Sequence, residues 1–176
     1  KMKIKNLVDN TTSFLSKRLS ELIGLSTLCL SILLLASLIS YSPEDPNFIF
    51  PENTEIKNLL GAKGSYASDI LYQSIGLISL LIPISFFFIS LSIIIDKKIL
   101  YIIESLFFII IYSIIGTLFF TVFHTETYWL TINGNNGFLG NLFEETFLIN
   151  LINLNNQISY FVLVTSILFF FLLSIN

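Results

Sequence analysis

The chain has 176 residues, of which 54% are hydrophobic and 12% are charged, and its mean hydropathy is +0.82. An average soluble domain carries about 25% charged residues, so this composition excludes water as the main solvent of the folded chain. The net charge is −3 and basic clusters occur only in the first 18 residues, which argues against this segment gripping nucleic-acid phosphates by itself. The single cysteine, Cys29, lies in an apolar run and excludes a disulfide or thiolate metal site within the chain.

The first long apolar run begins about 20 residues into the chain. Residues 1–21 are expected to form a cytoplasmic N-terminal segment, and Leu22–Ser40 then contains no charge. At 1.5 Å per residue this run is long enough to cross a hydrocarbon core of about 30 Å. It lacks a small-residue cleavage site, which favours a retained helix over a signal peptide. Because Asn176 directly follows another apolar run, we expect the segment to belong to a longer polypeptide.

Three further runs of this kind follow, at 77–95, 99–123 and 158–175. Asp96, Lys97 and Lys98 close the second run abruptly, so only a tight hairpin fits between the second and third. The sequence therefore predicts an all-α integral membrane domain at 22–176, with four transmembrane helices and the lipid bilayer as its solvent.

The distribution of lysine and arginine predicts the orientation of these spans. Basic residues resist translocation, and they concentrate before the first span and in the second turn: Lys1, Lys3, Lys5, Lys17, Arg18, Lys97 and Lys98. The other two connections are acidic, with Glu44, Asp45, Glu52, Glu55 and Asp69 in one and Glu126, Glu144 and Glu145 in the other. Both termini are therefore expected in the cytoplasm, and the two acidic connections outside.

The two acidic connections also mix apolar and polar residues at 59–76 and 138–153, which predicts short amphipathic helices on the outer leaflet. Each stretch starts at a Gly-x-x-Gly pattern, formed by Gly61 and Gly64 in one and by Gly137 and Gly140 in the other. This faint repeat suggests that two similar helical hairpins make the domain.

Few polar groups within the spans point to chemistry. Glu104 lies near the start of the third span, where the turn lysines can pair with it, and His124 lies at the other end without the companions that a metal site needs. Pro83 is expected to bend the second span. The span serines can bond a carbonyl one turn back or reach a neighbouring helix. We predict no catalytic residue, metal ligand or cofactor-binding residue in this segment.

Two stretches of the sequence resemble the membrane domain of FtsK/SpoIIIE-type DNA translocases. Tyr41, Pro43, Asp45 and Pro46 match a Ser-Tyr-x-Pro-x-Asp-Pro signature that follows the family's first helix. A second stretch matches the Asn-x-x-Gly-x-x-Gly segment and second helix, in residues Asn58, Leu59, Leu60, Gly61, Gly64, Tyr66, Asp69, Leu71, Gln73, Gly76 and Pro83. Gly137 and Gly140 resemble the glycine-rich entry to the last helix. The turn between spans two and three has fewer arginines than in the family, and the chain has fewer alanines and glycines.

The resemblance implies that the chain is the membrane anchor of a septal motor in the bacterial cytoplasmic (inner) membrane. A cytoplasmic ATPase, expected beyond Asn176 and using ATP and Mg²⁺, would pump chromosomal DNA through the division site. DNA would then be a partner only through that motor. The membrane domain is further expected to form homo-oligomers and to recruit division proteins.

Two other readings remain open from the residues alone. A small four-span transporter or channel subunit would explain Glu104 and Pro83, since intramembrane charges and broken helices mark transport paths. A membrane enzyme fits less well, because one histidine, one cysteine and scattered acids supply no cluster at one depth that could activate water.

Overall fold

The structure is a computed structural model that describes residues 2–47, 55–96, 99–124, 130 and 132–175, with side chains from residue 10 onward. Several residues on which the predicted orientation rests lie outside this part of the chain: Lys1, Glu52, Lys97, Lys98 and Glu126.

All regular structure in the described residues is helical. Seven α-helices are α1 (Met2–Ile39), α2 (Gly61–Ile75), α3 (Leu81–Asp96), α4 (Tyr101–Phe123), α5 (Gly137–Glu144), α6 (Phe147–Asn153) and α7 (Asn156–Ser174), and a 3-10 turn (Gly76–Leu80) joins α2 to α3. Four helical segments are long and apolar enough to cross a membrane: Asn10–Ile39, Gly61–Asp96, Tyr101–Phe123 and Asn156–Ser174. The all-α fold with four candidate spans and short helices in the connections is therefore confirmed.

The first helix is longer than its uncharged run. α1 has 38 residues, about 57 Å at 1.5 Å per residue, and it continues through the basic N-terminal stretch to Met2. Residues 10–19 are exposed along their whole length, and burial begins at Ser20. The hydrophobic run thus marks the part of the helix suited to lipid but not where the helix begins.

The long helices pack as two pairs, α1 with α3 and α4 with α7. In the first pair Gly24 of α1 faces α3 so closely that an added Cβ would lie 2.7 Å from Ile94 Cγ1. Small residues permit this approach of two membrane helices. In the second pair the rings of Phe108 and Phe170 stack with centroids 6.3 Å apart. Each pair is joined by a connection that contains short helices, as two similar hairpins require.

The interior of the bundle is rich in hydroxyls, and its surface is rich in large apolar side chains. Buried hydroxyl residues of the long helices include Ser20, Ser31, Ser37, Ser85, Ser90, Ser105, Ser113, Thr117 and Thr121. Leu22, Phe107 and Phe161 are each more than 60% exposed. Many hydroxyls donate to a carbonyl one turn back, as Thr121 Oγ1 does to Thr117 O at 2.7 Å. This inverted distribution suits a lipid solvent, in which polar side chains turn toward other helices.

A chain of three hydroxyls crosses the core between α3, α4 and α7. Ser85 Oγ lies 3.1 Å from Tyr112 Oη and 2.9 Å from Ser174 Oγ, and all three residues are fully buried. Ile89, Ile93 and the other members of the main apolar cluster surround Tyr112. Hydrogen bonds need more exact geometry than apolar contacts do. These hydroxyls therefore help to fix how the three helices align.

The second span differs from the expected single bent helix. Its first part is the 3-10 turn Gly76–Leu80, and Pro83 is the third residue of α3. In the first turn of a helix a missing N–H costs little, because those N–H groups have no partner within the helix. The irregular backbone therefore lies before Pro83, at Gly76–Leu80.

Candidate functional site

A network of polar side chains joins the end of α1 to α2, and we call it the polar junction. It consists of Ser37, Tyr41, Asp45, Asn58, Ser65, Ser68, Asp69 and Gln73. All of these side chains except the half-buried Gln73 are less than 7% exposed. Residues of both stretches that carry the family resemblance thus meet in one buried network.

Asp45 binds the backbone that approaches α2. Its two carboxylate oxygens accept from Lys57 N and Asn58 N, each at 2.8 Å. Charge-assisted bonds to backbone N–H groups are strong, so Asp45 fixes where the first connection returns to the bundle. The neighbouring Pro46 carbonyl accepts from Ser65 Oγ of α2 at 2.8 Å.

Asn58 connects three backbone segments. Its Nδ2 donates to Ser37 O of α1 at 2.9 Å, and its Oδ1 accepts from Leu60 N at 3.1 Å. The Asn58 carbonyl accepts from Gly61 N at 2.9 Å, which forms a tight turn before α2. Gly61 has φ +64°, a left-handed conformation that glycine adopts without steric cost.

Gly64 makes room for Asn58. A Cβ at Gly64 would lie 2.1 Å from Asn58 Oδ1 and 2.6 Å from Leu60 Cβ. The Gly64 carbonyl also accepts from Ser37 Oγ at 2.6 Å, so α1 and α2 meet at this residue. The second glycine of the first Gly-x-x-Gly pattern is therefore a close-contact position.

Tyr41 and Asp69 form a buried polar pair within the junction. Tyr41 Oη donates to Asp69 Oδ1 at 3.2 Å, and Gln73 Nε2 lies 3.5 Å from the same oxygen. Burial, together with the negative charge of Asp69, raises the pKa of Tyr41 to about 12. The Tyr41 and Tyr72 rings pack with centroids 5.0 Å apart, and Tyr72 Oη donates to Leu38 O. Tyr41 is thereby held as a neutral donor.

The small and polar face of α2 points inward. Gly64, Ser65, Ser68 and Asp69 are buried, whereas Ile70 is 49% exposed. A helix on a wet leaflet was expected to keep its polar face in water, and α2 instead packs that face against α1 and the first connection. The tertiary hydrogen bonds of the junction explain the difference.

Two glycines bring the second connection against the first. Gly76 has φ +72°, and a Cβ there would lie 1.9 Å from Asn135 O, which accepts from Leu77 N at 2.9 Å. A Cβ at Gly137, with φ +65°, would lie 2.5 Å from Gly76 N. Asn133 Nδ2 adds donations to the backbone oxygen and Oε1 of Gln73. The 3-10 turn and the start of α5 are thus in direct backbone contact.

The two Gly-x-x-Gly patterns have matching geometry. In each, the first glycine opens a helix with positive φ, at +64° in Gly61 and +65° in Gly137. In each, the second glycine is buried against an asparagine, and a Cβ at Gly140 would lie 2.4 Å from Asn136 Cβ.

Several residues of the resemblance lie apart from the polar junction, among them Pro43, Tyr66 and Pro83. Pro43 is exposed in the turn after α1, Tyr66 is half-buried on α2, and Pro83 is buried in α3 beside Ser31 of α1. Sequence reasoning missed six polar residues of the two connections and their neighbours. The serines Ser37, Ser65 and Ser68 belong to the polar junction, and Asn133, Asn135 and Asn136 make the contacts of the second connection. The polar run at 133–136 was a usable signal, but the serines resemble all the other serines of the spans.

Residues singled out for possible chemistry lie far from one another. Glu104 is exposed in the first turn of α4, and His124 ends that helix, with its carbonyl bound by Asn135 Nδ2. Among the described residues no three His, Cys, Asp or Glu side chains are placed to hold one metal ion.

Comparison with known sequences gives this architecture a family. Residues 16–176 match the family described as the 4TM region of DNA translocase FtsK/SpoIIIE. The chain belongs to this family. The four candidate spans agree with the four transmembrane segments that the family's description names.

Relatives named DNA translocase FtsK match shorter parts of the chain. The protein of Rickettsia bellii (strain RML369-C) is 41% identical over 66 residues, which cover 38% of this chain and 8% of the relative. Those of Rickettsia typhi (strain ATCC VR-144 / Wilmington) and Rickettsia prowazekii (strain Madrid E) are each 44% identical over 50 residues, covering 28% of this chain and 7% of each relative. The matched part of the chain thus spans less than a tenth of these relatives. No solved structure matches the chain.

Proposed function

We propose that this chain is the membrane anchor of a septal DNA translocase, which tethers a cytoplasmic ATPase motor at the bacterial division site. The observation that carries the proposal is the match of residues 16–176 to the four-span region of DNA translocases. The relatives' names assign DNA translocation to proteins of which this domain is a small part. The motor, its ATP and Mg²⁺, and its contact with DNA would all reside beyond Asn176.

A motor that pulls a long polymer needs a mount that resists extraction. Four spans hold a protein in the bilayer far more firmly than a surface helix or a single lipid chain does. The polar junction holds the first hairpin together and the glycine contacts join it to the second, so we expect load applied to one span to be shared by the others. We propose both termini on the cytoplasmic side and the two acidic connections on the opposite side, in the inner membrane.

The anchoring role is tested by cutting the native protein in place. A specific protease site is inserted directly after Asn176 of the full chain, and isolated membranes are treated with the protease. We expect the ATP-dependent DNA translocase activity to move from the pelleted membranes to the soluble fraction, while residues 1–176 stay in the pellet at high salt and alkaline pH. Activity that is soluble before cleavage, or that stays with the membranes afterwards, would contradict an anchor in this segment.

Division-site targeting and self-assembly are further parts of the proposal. A fluorescent protein fused after Asn176 is expected to form a band at the division site in dividing cells and to be bright on the cytoplasmic side. Fluorescence spread evenly around the cell would show that targeting lies elsewhere in the protein. Cross-linking in intact membranes is expected to give multimers of the chain.

A further inference from the structure

A cleft lies between α2 and the second connection, next to the polar junction. Its volume is about 300 Å³, and one end is lined by the polar residues Asp69, Gln73 and Asn133. Its walls are apolar, formed by Ile70, Ile132 and Phe138, each about half exposed. The cleft thus combines apolar walls with a group of polar side chains.

The carboxylate at the polar end is only partly bonded. Asp69 is 6% exposed, and Tyr41 and Gln73 both approach its Oδ1. Within the described part of the chain its Oδ2 has no hydrogen-bond partner and no basic side chain forms an ion pair with it. This second oxygen is not fully buried, so a hydrogen-bond donor that enters the cleft can reach it.

The chain's own sequence offers little to pair with Asp69. The two acidic connections contain eight carboxylates and only two basic residues, Lys57 and Lys63. Lys57 binds Glu44, and Lys63 is exposed and forms no ion pair among the described residues. A cation that paired with Asp69 would therefore have to come from outside these two connections.

The remaining oxygen of Asp69, Oδ2, favours an ammonium group as its ligand. A guanidinium binds best across both oxygens of a carboxylate, but Asp69 Oδ1 is already occupied by Tyr41 and Gln73. An ammonium is a compact charge that binds a single oxygen well. A divalent metal needs several oxygen ligands, commonly more than one carboxylate, and among the described residues that line the cleft Asp69 alone carries a carboxylate.

The apolar walls indicate which kind of molecule supplies the ammonium group. The four methylene groups of a lysine suit these apolar walls, as lysine stems commonly lie along apolar surface with the charge beyond them. A phosphatidylethanolamine headgroup also has an ammonium, but it would place a phosphate among the carboxylates of the connections. A lysine from another protein brings no such negative charge.

We propose that this cleft binds a lysine side chain of a partner protein at the division site, with its ammonium on Asp69 Oδ2. The inference rests on the proposed function for the place where the partner is met. The acidic connections attract a basic partner segment and orient it, and the cleft then holds one lysine as the anchor residue. Asp69 and Gln73 are thus partner-binding residues in addition to their part in the polar junction.

A zero-length cross-link tests this contact directly. Intact membranes that contain the full-length protein are treated with a water-soluble carbodiimide, which joins a carboxylate to an amine in contact with it. Peptide mass spectrometry is expected to find Asp69 linked to a lysine of another protein. Asp69→Asn keeps an acceptor for Tyr41 and removes the charge, so this cross-link should disappear. Glu144→Gln, at an exposed carboxylate away from the cleft, should leave it intact.

Other outcomes would overturn the proposal. They are an Asp69 that forms no cross-link, one joined to Lys57 or Lys63 of any copy of this chain, and one that carries a phosphatidylethanolamine adduct. A purely structural Asp69 would also make Asp69→Asn less stable to heat in detergent, whereas we expect unchanged stability because asparagine keeps the acceptor for Tyr41. None of these results depends on whether the motor is released by cleavage after Asn176, so the two proposals fail separately.

Discussion

Replacing Gly64 with alanine tests whether the polar junction determines how the first hairpin packs. The added Cβ would lie 2.1 Å from Asn58 Oδ1 and 2.6 Å from Leu60 Cβ. Neither distance is tolerated, so Asn58 must move and give up its bonds to Ser37 O and Leu60 N. Each buried hydrogen bond contributes about 1 kcal/mol net, and overpacking adds about 1–3 kcal/mol.

Alanine also favours a helix over glycine, which returns about 0.5–1 kcal/mol. The balance is a loss of about 2 kcal/mol or more in the free energy of unfolding. We would measure it by titrating the purified chain with sodium dodecyl sulfate in mixed micelles and following helix content. Gly61→Ala is the matched control, because no atom lies within 4 Å of its Cβ and only the strain of φ +64° remains. That strain costs about 1–2 kcal/mol.

A double-mutant cycle with Asn58→Ala isolates the collision. Gly64→Ala should cost clearly less when residue 58 is alanine, because the amide that blocks the new Cβ is gone. An equal cost in both backgrounds would refute the reasoning, as would a Gly64→Ala protein as stable as the parent chain.

Three other predictions use different parts of the fold. Tyr112→Phe and Ser85→Ala should each lower stability by about 1 kcal/mol, and the double variant by less than their sum, measured by the same titration, because both remove one hydroxyl pair. Gly76→Ala should prevent accumulation of folded chain in membranes, assayed by immunoblot, since its Cβ would lie 1.9 Å from a backbone oxygen and φ is +72°; wild-type levels would contradict the glycine contact. Tyr41 should ionise near pH 12. This is measured by titrating the absorbance of the parent chain and of Tyr41→Phe and subtracting one curve from the other. The pKa of Tyr41 in the folded chain lies above the ordinary 10.0. The neutral Tyr41 side chain therefore contributes its full stabilisation below pH 10.0, and this stabilisation is lost as pH rises through 12.

Hydropathy predicts the number of spans because a lipid solvent imposes one simple requirement on each of them. A helix must offer enough consecutive apolar residues, and Leu22–Ser40 and its three counterparts do so without reference to their neighbours. The same criterion misplaces the start of α1, since the helix at 2–21 needs no lipid. Hydropathy measures solvent preference and not backbone conformation.

The polar junction lies beyond sequence reasoning for a different reason. Tyr41 and Asp69 are 28 positions apart, and nothing local indicates that one donates to the other. The inward polar face of α2 likewise depends on Ser37 and Asn58, which are supplied by other segments. The resemblance named several residues that lie in the polar junction, but their contacts follow only from the structure.

The central claim is that this domain anchors a DNA motor, and the size and peptide content of the native polypeptide test it most directly. An antibody against the first connection would isolate the protein from membranes for mass measurement and peptide sequencing. We predict a large protein that continues beyond Asn176 and carries a Gly-Lys-Ser/Thr phosphate loop in a cytoplasmic ATPase. A native chain that ends near Asn176, without such a segment, would contradict the anchor and favour a stand-alone membrane subunit.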